Sequence, residues 1–372
     1  MKKTMPWRYA AGALGTAALA WTGLAQAQSN VQIYGLMDVG VEHLSTVQGN
    51  QPKTRMPTVT GGQMASRLGF RGTEDLGNGL KAVFVMEAGI SPAKGNSQQS
   101  GRMFGRQSYI GLSSNDWGTL SFGRQYLMSL YALQGSDLMG PAVFGLGSLD
   151  AYIPNQRVDN SVVWRGTWGA WTLGAAYSLA RDGAAPSNCG DDRKPGACGA
   201  WSALVKYDAP TWGLALAQDS LKGTAGSGFF GQPSGVTVVA GSRDDRTLLT
   251  GYVKFGDTRV GAGWIRHTLK AQPEDYRSNQ YYLAVSQPLT AAFVLDATYT
   301  YLDARRADSD AQLVSLRLNY NLSKRTALYA LVGRVFNGDA VGYSVSGGTS
   351  APASPGLGRD QTGYMIGMRH SF

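Results

Sequence analysis

Hydrophobic and polar residues alternate with a period of two through most of the chain beyond residue 30. Val314, Leu316 and Leu318, for example, share one parity, while Ser315 and Arg317 take the other. Successive side chains of a β-strand point to opposite faces, so this pattern predicts strands with one apolar and one polar face. No segment of comparable length has the period of a helix. The chain is therefore predicted to be all-β.

Sixteen such segments follow one another. Their predicted bounds are 31–43, 66–74, 80–89, 104–113, 118–126, 160–166, 170–180, 200–208, 212–220, 246–255, 259–268, 279–288, 292–302, 311–321, 325–335 and 361–372. Tight connections such as 74–79 alternate with long ones such as 221–245. We therefore predict a sixteen-stranded antiparallel transmembrane β-barrel with short periplasmic turns and long extracellular loops. The last strand is expected to pair with the first, which removes both sheet edges.

The aromatic residues support a membrane barrel over the alternative, a soluble β-sandwich. Several lie beside the predicted short turns or at the chain end: Trp117, Trp168, Tyr207, Trp212, Phe255, Tyr320 and Phe372. Transmembrane barrels carry an aromatic girdle at each membrane interface. In a sandwich these residues would more often be core residues in mid-strand. Phe372 is expected to close the last strand at the inner interface.

The beginning of the chain has the pattern of an export signal. Basic residues precede a short apolar stretch, and the small-residue sequence AQA follows at 25–27. This arrangement predicts a signal peptide over 1–27 and a single barrel domain over 28–372. The apolar stretch is too short for a transmembrane helix, which needs ~20 residues.

Composition agrees with a β-protein that has large uncharged surfaces. The chain has 50 Gly, 18 Tyr and 9 Trp, and 16% of its residues are charged, against about 25% in a typical soluble domain. The formal net charge is +9, of which the predicted signal carries +3, so the remainder carries +6. A nucleic-acid binder could share this balance. However, the basic residues are scattered singly, and no nucleic-acid partner is predicted.

The two cysteines, Cys189 and Cys198, follow a signal peptide and lie close together. This spacing predicts a disulfide within one loop. A metal site is the weaker alternative, because no histidine or further cysteine lies nearby. We predict no metal and no cofactor.

Several sequence blocks resemble the trimeric general porins of Gram-negative outer membranes, in particular the branch of the beta-proteobacteria. The blocks are VQIYGLMDVGVE, SRLGFRGTEDLGNGLKAVFVMEAG, GRQSYIGLSSNDWGTLSFGRQ, YNLSKRTALYALVGRVFN and the final GMRHSF. The resemblance implies a sixteen-stranded barrel in a homotrimer surrounded by outer-membrane lipids. It also implies that the barrel-assembly machinery recognises Phe372, and that a third loop, about 127–159, folds into the lumen as a constriction.

Porins of the anion-selective kind line the constriction with arginines. Arg67 in SRLGF, Arg106 in FGRQS and Arg157 in NQRVDNS match such positions, and Arg124 in FGRQ matches a position that the family keeps basic. For each arginine the alternative is a solvated loop charge or a structural ion pair. Asp137 and Asp150 lie in the predicted inner loop and are expected to lower the anion preference.

Residue parity places only some of these arginines inside the barrel. Arg67 and Arg71 are expected to face inward, whereas Arg106 and Arg124 share the parity of apolar residues. An arginine on the lipid face near mid-membrane would cost ~2–4 kcal/mol. We therefore expect a bulge, or a position beyond the apolar band, at Arg106 and Arg124.

The expected function is a passive pore for small hydrophilic solutes and ions with a bias toward anions. A barrel protease or lipase built on paired carboxylates is an alternative, but none of the three histidines lies in a catalytic or metal-binding motif. A substrate-specific channel or an adhesin is a third possibility, and either would show saturable binding. We predict that the protein is not an enzyme.

Overall fold

A computed structural model of the protein describes residues 30–48, 51–57, 62–347 and 353–372. The predicted signal peptide, 1–27, lies outside these residues. The described chain is a β-barrel with one loop folded into its lumen.

Seventeen strands are present in the described residues. They are β1 (Asn30–Val47), β2 (Gln51–Arg55), β3 (Arg67–Gly77), β4 (Leu80–Gly89), β5 (Gln107–Ser114), β6 (Gly118–Tyr126), β7 (Arg157–Trp168), β8 (Trp171–Ser178), β9 (Ala200–Asp208), β10 (Trp212–Lys222), β11 (Arg243–Phe255), β12 (Thr258–Lys270), β13 (Tyr276–Pro288), β14 (Phe293–Ala304), β15 (Ala311–Asn321), β16 (Thr326–Asn337) and β17 (Gln361–Ser371). All except β2 form a closed antiparallel barrel, in which each strand pairs with its neighbours in the chain and β17 pairs with β1.

The prediction of sixteen barrel strands is confirmed, and the differences lie mainly at strand ends. Many strands continue into polar sequence on the long-loop side, as β11 does by starting at Arg243. Backbone pairing there does not depend on apolar alternation, because these ends extend beyond the apolar band. The additional strand β2 pairs with the outer end of β1. Its sequence, QPKTR, has no apolar alternation that could have predicted it.

Pairing of the last strand with the first closes the sheet. The register runs from Leu36 opposite Ser371 to Leu44 opposite Gly363. Phe372 adds a final pair of backbone bonds: its N–H donates to the Gly35 carbonyl at 3.1 Å, and its own carbonyl accepts from the Gly35 N–H at 3.0 Å. The terminal residue is therefore part of the closure that was predicted.

The two faces of the barrel wall differ as the alternation predicts. In β17, Tyr364, Ile366 and Met368 are exposed on the outer face, while Met365 is buried inside. Along the short-turn side, aromatic rings gather on the outer surface: the Tyr207 ring centroid lies 4.9 Å from that of Trp171 and 5.0 Å from that of Trp212. These rings occupy the place of the predicted girdle.

Short turns connect the strands at this end. Between β3 and β4, Gly77, Asn78 and Gly79 have φ values of 87°, 52° and 77°. This run of left-handed residues reverses the chain tightly, and glycine and asparagine tolerate the conformation best.

The third loop of the barrel enters the lumen, which confirms that prediction. We call residues 127–156 the inner loop, because β7 already begins at Arg157 rather than after residue 159. The inner loop contains helix α1 (Met128–Leu133) and two 3-10 turns (Leu146–Ser148 and Ile153–Asn155). Within the described residues, no helix is both long and apolar enough to cross a membrane.

Apolar packing and hydrogen bonds fix the inner loop against one side of the barrel wall. Met128, Phe144 and Leu146 are fully buried. Phe144 packs so closely on Gly363 of β17 that a Cβ atom there would lie 2.8 Å from its ring. Buried polar contacts add to this packing: the Asp219 carboxylate accepts hydrogen bonds from Ser129, Ser202 and Tyr152, and Arg317 donates to the carbonyls of Leu138 and Met139.

Candidate functional site

Three of the predicted arginines meet on the inner wall opposite the packed side of the inner loop. Arg106 Nε donates to Glu87 Oε1 at 2.6 Å, and its Nη2 donates to the Tyr126 hydroxyl oxygen at 2.6 Å. Arg67 Nη1 lies 3.9 Å from the same Glu87 oxygen. The guanidinium carbon of Arg157 lies 5.5 Å from the centroid of the Tyr126 ring. We call Arg67, Arg106, Arg157 and Glu87 the arginine cluster.

The arginine cluster carries an excess of positive charge. Within the described residues, Glu87 is the one carboxylate within 4.0 Å of any of its three guanidinium groups. Three positive charges and one negative charge sum to +2. Among the described residues Arg157 has no carboxylate partner: it is buried and donates to Asn155 Oδ1 at 3.2 Å through Nη2, and its Nε, like that of Arg67, has no hydrogen-bond partner there.

Local backbone geometry explains how arginines of the wrong parity reach the lumen. Arg106 precedes β5, which begins at Gln107. In β6 the register against β7 shifts between Gly123 and Gln125, and Gly123 has a φ of 134°. At this β-bulge two residues of β7 lie opposite Arg124 alone, and the Arg124 side chain lines the cavity on the long-loop side. The expectation of a bulge is thus confirmed for Arg124, and Arg106 lies before the regular strand.

Arg124 does not join the arginine cluster. Its Nη1 lies 2.5 Å from Asp159 Oδ1 and 3.4 Å from Asp182 Oδ2. Arg102 Nη2 bridges the same two carboxylates, at 2.7 Å from Asp182 Oδ1 and 3.1 Å from Asp159 Oδ2. We call these four residues the charge quartet. Its formal charges sum to zero, so the structural ion pair, the alternative considered from sequence, describes Arg124.

Arg71 faces the lumen on the short-turn side of the arginine cluster and is separated from it by Tyr34, whose hydroxyl donates to Glu87 Oε2 at 2.9 Å. Arg71 Nε donates to Gln32 Oε1 at 3.0 Å, and its guanidinium carbon lies 5.1 Å from the centroid of the Tyr34 ring. Arg165 on β7 lines the same region, with its guanidinium carbon 3.9 Å from the centroid of the Tyr131 ring of the inner loop.

The two predicted acidic residues of the inner loop have different surroundings. Asp150 accepts from Arg246 Nε at 3.0 Å and from Arg246 Nη2 at 3.2 Å, so its charge is paired at the wall. Asp137 accepts the backbone N–H of Gly140 at 3.0 Å. Burial raises the pKa of the Asp137 carboxyl to about 6.

Two cavities flank the arginine cluster. One, of about 530 Å³, lies on the long-loop side and is lined by Arg102, Arg124, Asn155, Arg157 and Asp182 among others. The other, of about 340 Å³, lies on the short-turn side between the inner loop and strands β1 to β7. The arginine cluster therefore lies between an outer and an inner vestibule.

Cys189 and Cys198 are joined by a disulfide inside one loop on the long-loop side. Both are buried. In the part of the chain that the structure describes, no group of three or more His, Cys, Asp or Glu side chains could hold a metal ion.

Sequence reasoning missed several members of this site. Glu87 could have been found, because the alternation in β4 places it on the polar face. Asp159 and Asp182 carried no such signal, since one lies beside a bulge and the other lies in a loop, and no periodicity indicates where their side chains point. Arg102 was missed for the same reason.

The architecture defines a class of protein: a closed sixteen-stranded transmembrane barrel with an apolar exterior, a charged lumen and an inner loop that narrows it. A family model described as Gram-negative porin matches residues 13–340, and the chain belongs to this family. Membership places the protein in the outer membrane as a multi-pass barrel.

Individual relatives agree. Over 373 aligned positions the chain is 30% identical to an outer membrane porin protein of Bordetella pertussis, with 89% of this chain and 93% of the relative covered. It is also 30% identical to outer membrane porin protein 32 of Delftia acidovorans, with 96% and 99% covered. The solved structure of an anion-selective porin from Comamonas acidovorans aligns with a TM-score of 0.76 and 26% identity over 93% of this chain and 100% of that one. These relatives are porins, which points to a non-enzymatic channel.

Proposed function

We propose that the protein is a passive diffusion channel for small hydrophilic solutes and ions, with a preference for anions. The arginine cluster carries this proposal: its three guanidinium groups lie together with one carboxylate, which pairs with Arg67 and Arg106 only, at the place where the inner loop narrows the lumen. The likeness to a solved porin whose title calls it anion-selective supports the same conclusion.

The mechanism is selection by width and by electric field. The inner loop packs against β8 to β17 and excludes large solutes, while a path for water and ions remains beside the arginine cluster. Fixed positive charges in a narrow aqueous passage raise the local concentration of anions. The cation–π contact and the hydrogen bond to Tyr126 hold two of the guanidinium groups in place, so the field has a fixed position.

Transport through such a pore requires no chemical turnover, and we propose no enzymatic activity. Flux should rise linearly with solute concentration, whereas a substrate-specific channel would saturate.

The sequence patterns at the two ends of the chain and the apolar outer face of the barrel support three further proposals, on export, on assembly and on the oligomeric state. We propose that residues 1–27 direct export and are removed, and that the barrel-assembly machinery recognises the strand that ends at Phe372. The apolar outer face then meets lipid or neighbouring barrels in a homotrimer.

The test is conductance in planar lipid bilayers. Purified protein should insert in steps and conduct without added substrate, and in a KCl gradient the reversal potential should have the sign of chloride preference. Protein that inserts without conducting would refute the channel. A reversal potential of the opposite sign would refute the anion preference alone.

A further inference from the structure

We propose that Asp182 is a specificity-determining residue of the outer vestibule, held by the Cys189–Cys198 disulfide loop as the counter-charge of Arg102 and Arg124. This inference rests on the proposed function, because it concerns how strongly the channel prefers anions. It assigns to the disulfide a positioning function for a pore charge.

The charge quartet lies on the solute path. Arg102, Arg124 and Asp182 line the same cavity as Arg157, which belongs to the arginine cluster. An ion that approaches the arginine cluster from the long-loop side therefore passes the charge quartet first. The quartet also joins four separate segments of the chain: the loop between β4 and β5, strands β6 and β7, and the loop between β8 and β9.

Asp182 completes the neutrality of the charge quartet. Its two carboxylate oxygens face different guanidinium groups, Oδ1 that of Arg102 and Oδ2 that of Arg124. Without it, Asp159 alone would face two arginines, and the quartet would carry +1. The outer vestibule would then add to the positive field of the arginine cluster instead of leaving it unchanged.

The disulfide loop holds the backbone of Asp182 directly. The Asp182 N–H donates to the Cys189 carbonyl at 3.2 Å, and the Cys189 N–H donates to the Asp182 carbonyl at 2.7 Å. The neighbouring Arg181 N–H donates to the Cys198 carbonyl at 2.9 Å. Both half-cystines thus bond to the two-residue segment 181–182, and the disulfide that links them fixes this segment between them.

Arg181 anchors the same segment from the other side. Its side chain is buried, donates from Nε to the Lys222 carbonyl at 2.7 Å and from Nη2 to the Gly228 carbonyl at 2.6 Å, and stacks on Phe229 with 4.3 Å between the guanidinium carbon and the ring centroid. The Arg181 side chain thus determines where the loop begins. The disulfide determines whether the chain beyond Asp182 folds back so that Cys189 pairs with Asp182.

Removal of the Asp182 charge should strengthen anion preference. One extra positive charge at ~10 Å from an ion in a water-filled vestibule, with a Debye length of ~30 Å at ~0.01 M salt, raises the anion-to-cation permeability ratio about two- to threefold. The effect should shrink at ~1 M salt, where the Debye length is ~3 Å.

The experiment compares reversal potentials in KCl gradients at low salt for wild type, Asp182→Asn, and Cys189→Ser/Cys198→Ser. Asp191→Asn is the matched control, because Asp191 is an exposed carboxylate of the same loop. Asp182→Asn should shift the reversal potential toward the chloride equilibrium potential, the cysteine variant should shift it in the same direction by a smaller amount, and Asp191→Asn should shift it least.

Non-additivity distinguishes positioning from a general structural effect. When Asp182→Asn is already present, loss of the disulfide should change the reversal potential no further. If the cysteine variant does not assemble, wild-type protein reduced after purification takes its place. An Asp182→Asn shift no larger than that of Asp191→Asn overturns the specificity function, and an unchanged potential after loss of the disulfide overturns the positioning function. The sign of the wild-type potential separately tests the anion preference itself.

Discussion

Simultaneous neutralisation of Arg67, Arg106 and Arg157 by glutamine should convert the channel from anion to cation preference. At present the arginine cluster carries +2, because Glu87 offsets one of the three guanidinium charges. The triple substitution leaves Glu87 unopposed, so the local charge becomes −1. The sign of the field at the constriction is therefore expected to reverse.

The magnitude follows from Coulomb's law. At ~8 Å each unit charge is worth ~0.5 kcal/mol in a water-like dielectric and ~2 kcal/mol at an effective dielectric constant of ~20. A change of three charges gives at least ~1.5 kcal/mol, and screening over a Debye length of ~8–10 Å leaves ~0.5 kcal/mol. This lower bound changes anion occupancy about twofold and cation occupancy about twofold in the opposite sense, so their ratio changes about fivefold.

The assay is the reversal potential in a KCl gradient, measured at several ionic strengths. The control replaces three exposed arginines, Arg305, Arg325 and Arg334, and so makes the same change in net charge away from the arginine cluster. The cluster variant should cross zero potential and shift most at low salt, while the control should stay near wild type. Equal shifts in the two variants would show that overall charge, and not the cluster, determines selectivity.

The remaining predictions concern pH, assembly and the disulfide. The pKa of Asp137 is raised to about 6, so this carboxylate is charged above that pH and neutral below it; anion preference should rise as pH falls from 7 to 5, and Asp137→Asn should flatten the dependence. Deletion of Phe372 should reduce the amount of assembled barrel in outer-membrane fractions more than single-channel conductance, because its backbone bonds to Gly35 close the sheet away from the solute path; normal accumulation kinetics would refute this. Electrophoresis without boiling should show a species near three times the monomer mass, and a strictly monomeric band would exclude the trimer. Mass mapping of exported protein should find no free thiols. Reduction of the disulfide should lower the barrel's melting temperature little, because the disulfide closes a ten-residue loop that lies outside the strands. Closure of such a loop contributes ~2–3 kcal/mol.

The sequence predicted the wall of this barrel well because one physical rule governs every strand. A residue that faces lipid must be apolar, whereas the next residue, which faces the lumen, need not be. The alternation alone therefore predicts that Val314 faces outward and Arg317 faces inward. The same rule placed Arg67 on the inner face, while the pairing of the last strand with the first followed from the need to remove both sheet edges. It failed at β2, which lies outside the apolar band, where backbone pairing imposes no alternation.

Charge pairing inside the lumen could not be predicted in the same way. Arg124 matched a position that porins keep basic, but whether its charge acts on ions depends on Asp182, which is distant in the chain and is brought close by a loop. Asp150, likewise expected to oppose anions, is paired with Arg246 of β11. Motifs indicated which charges are present, while tertiary contacts determine which of them remain unbalanced.

We propose that selectivity resides at the arginine cluster because of its ratio of carboxylates to guanidinium groups. A guanidinium group that is largely removed from water needs a partner to remain both charged and fixed, and a single buried charge without one is costly. Glu87 provides this partner for Arg67 and Arg106, and the Tyr126 ring provides a cation–π contact for Arg157, so three groups are held with one negative charge. The charge quartet holds its two arginines with two carboxylates and so is rigid but neutral. Both arrangements stabilise their arginines, yet only the one with too few carboxylates leaves a net field in the path of an ion.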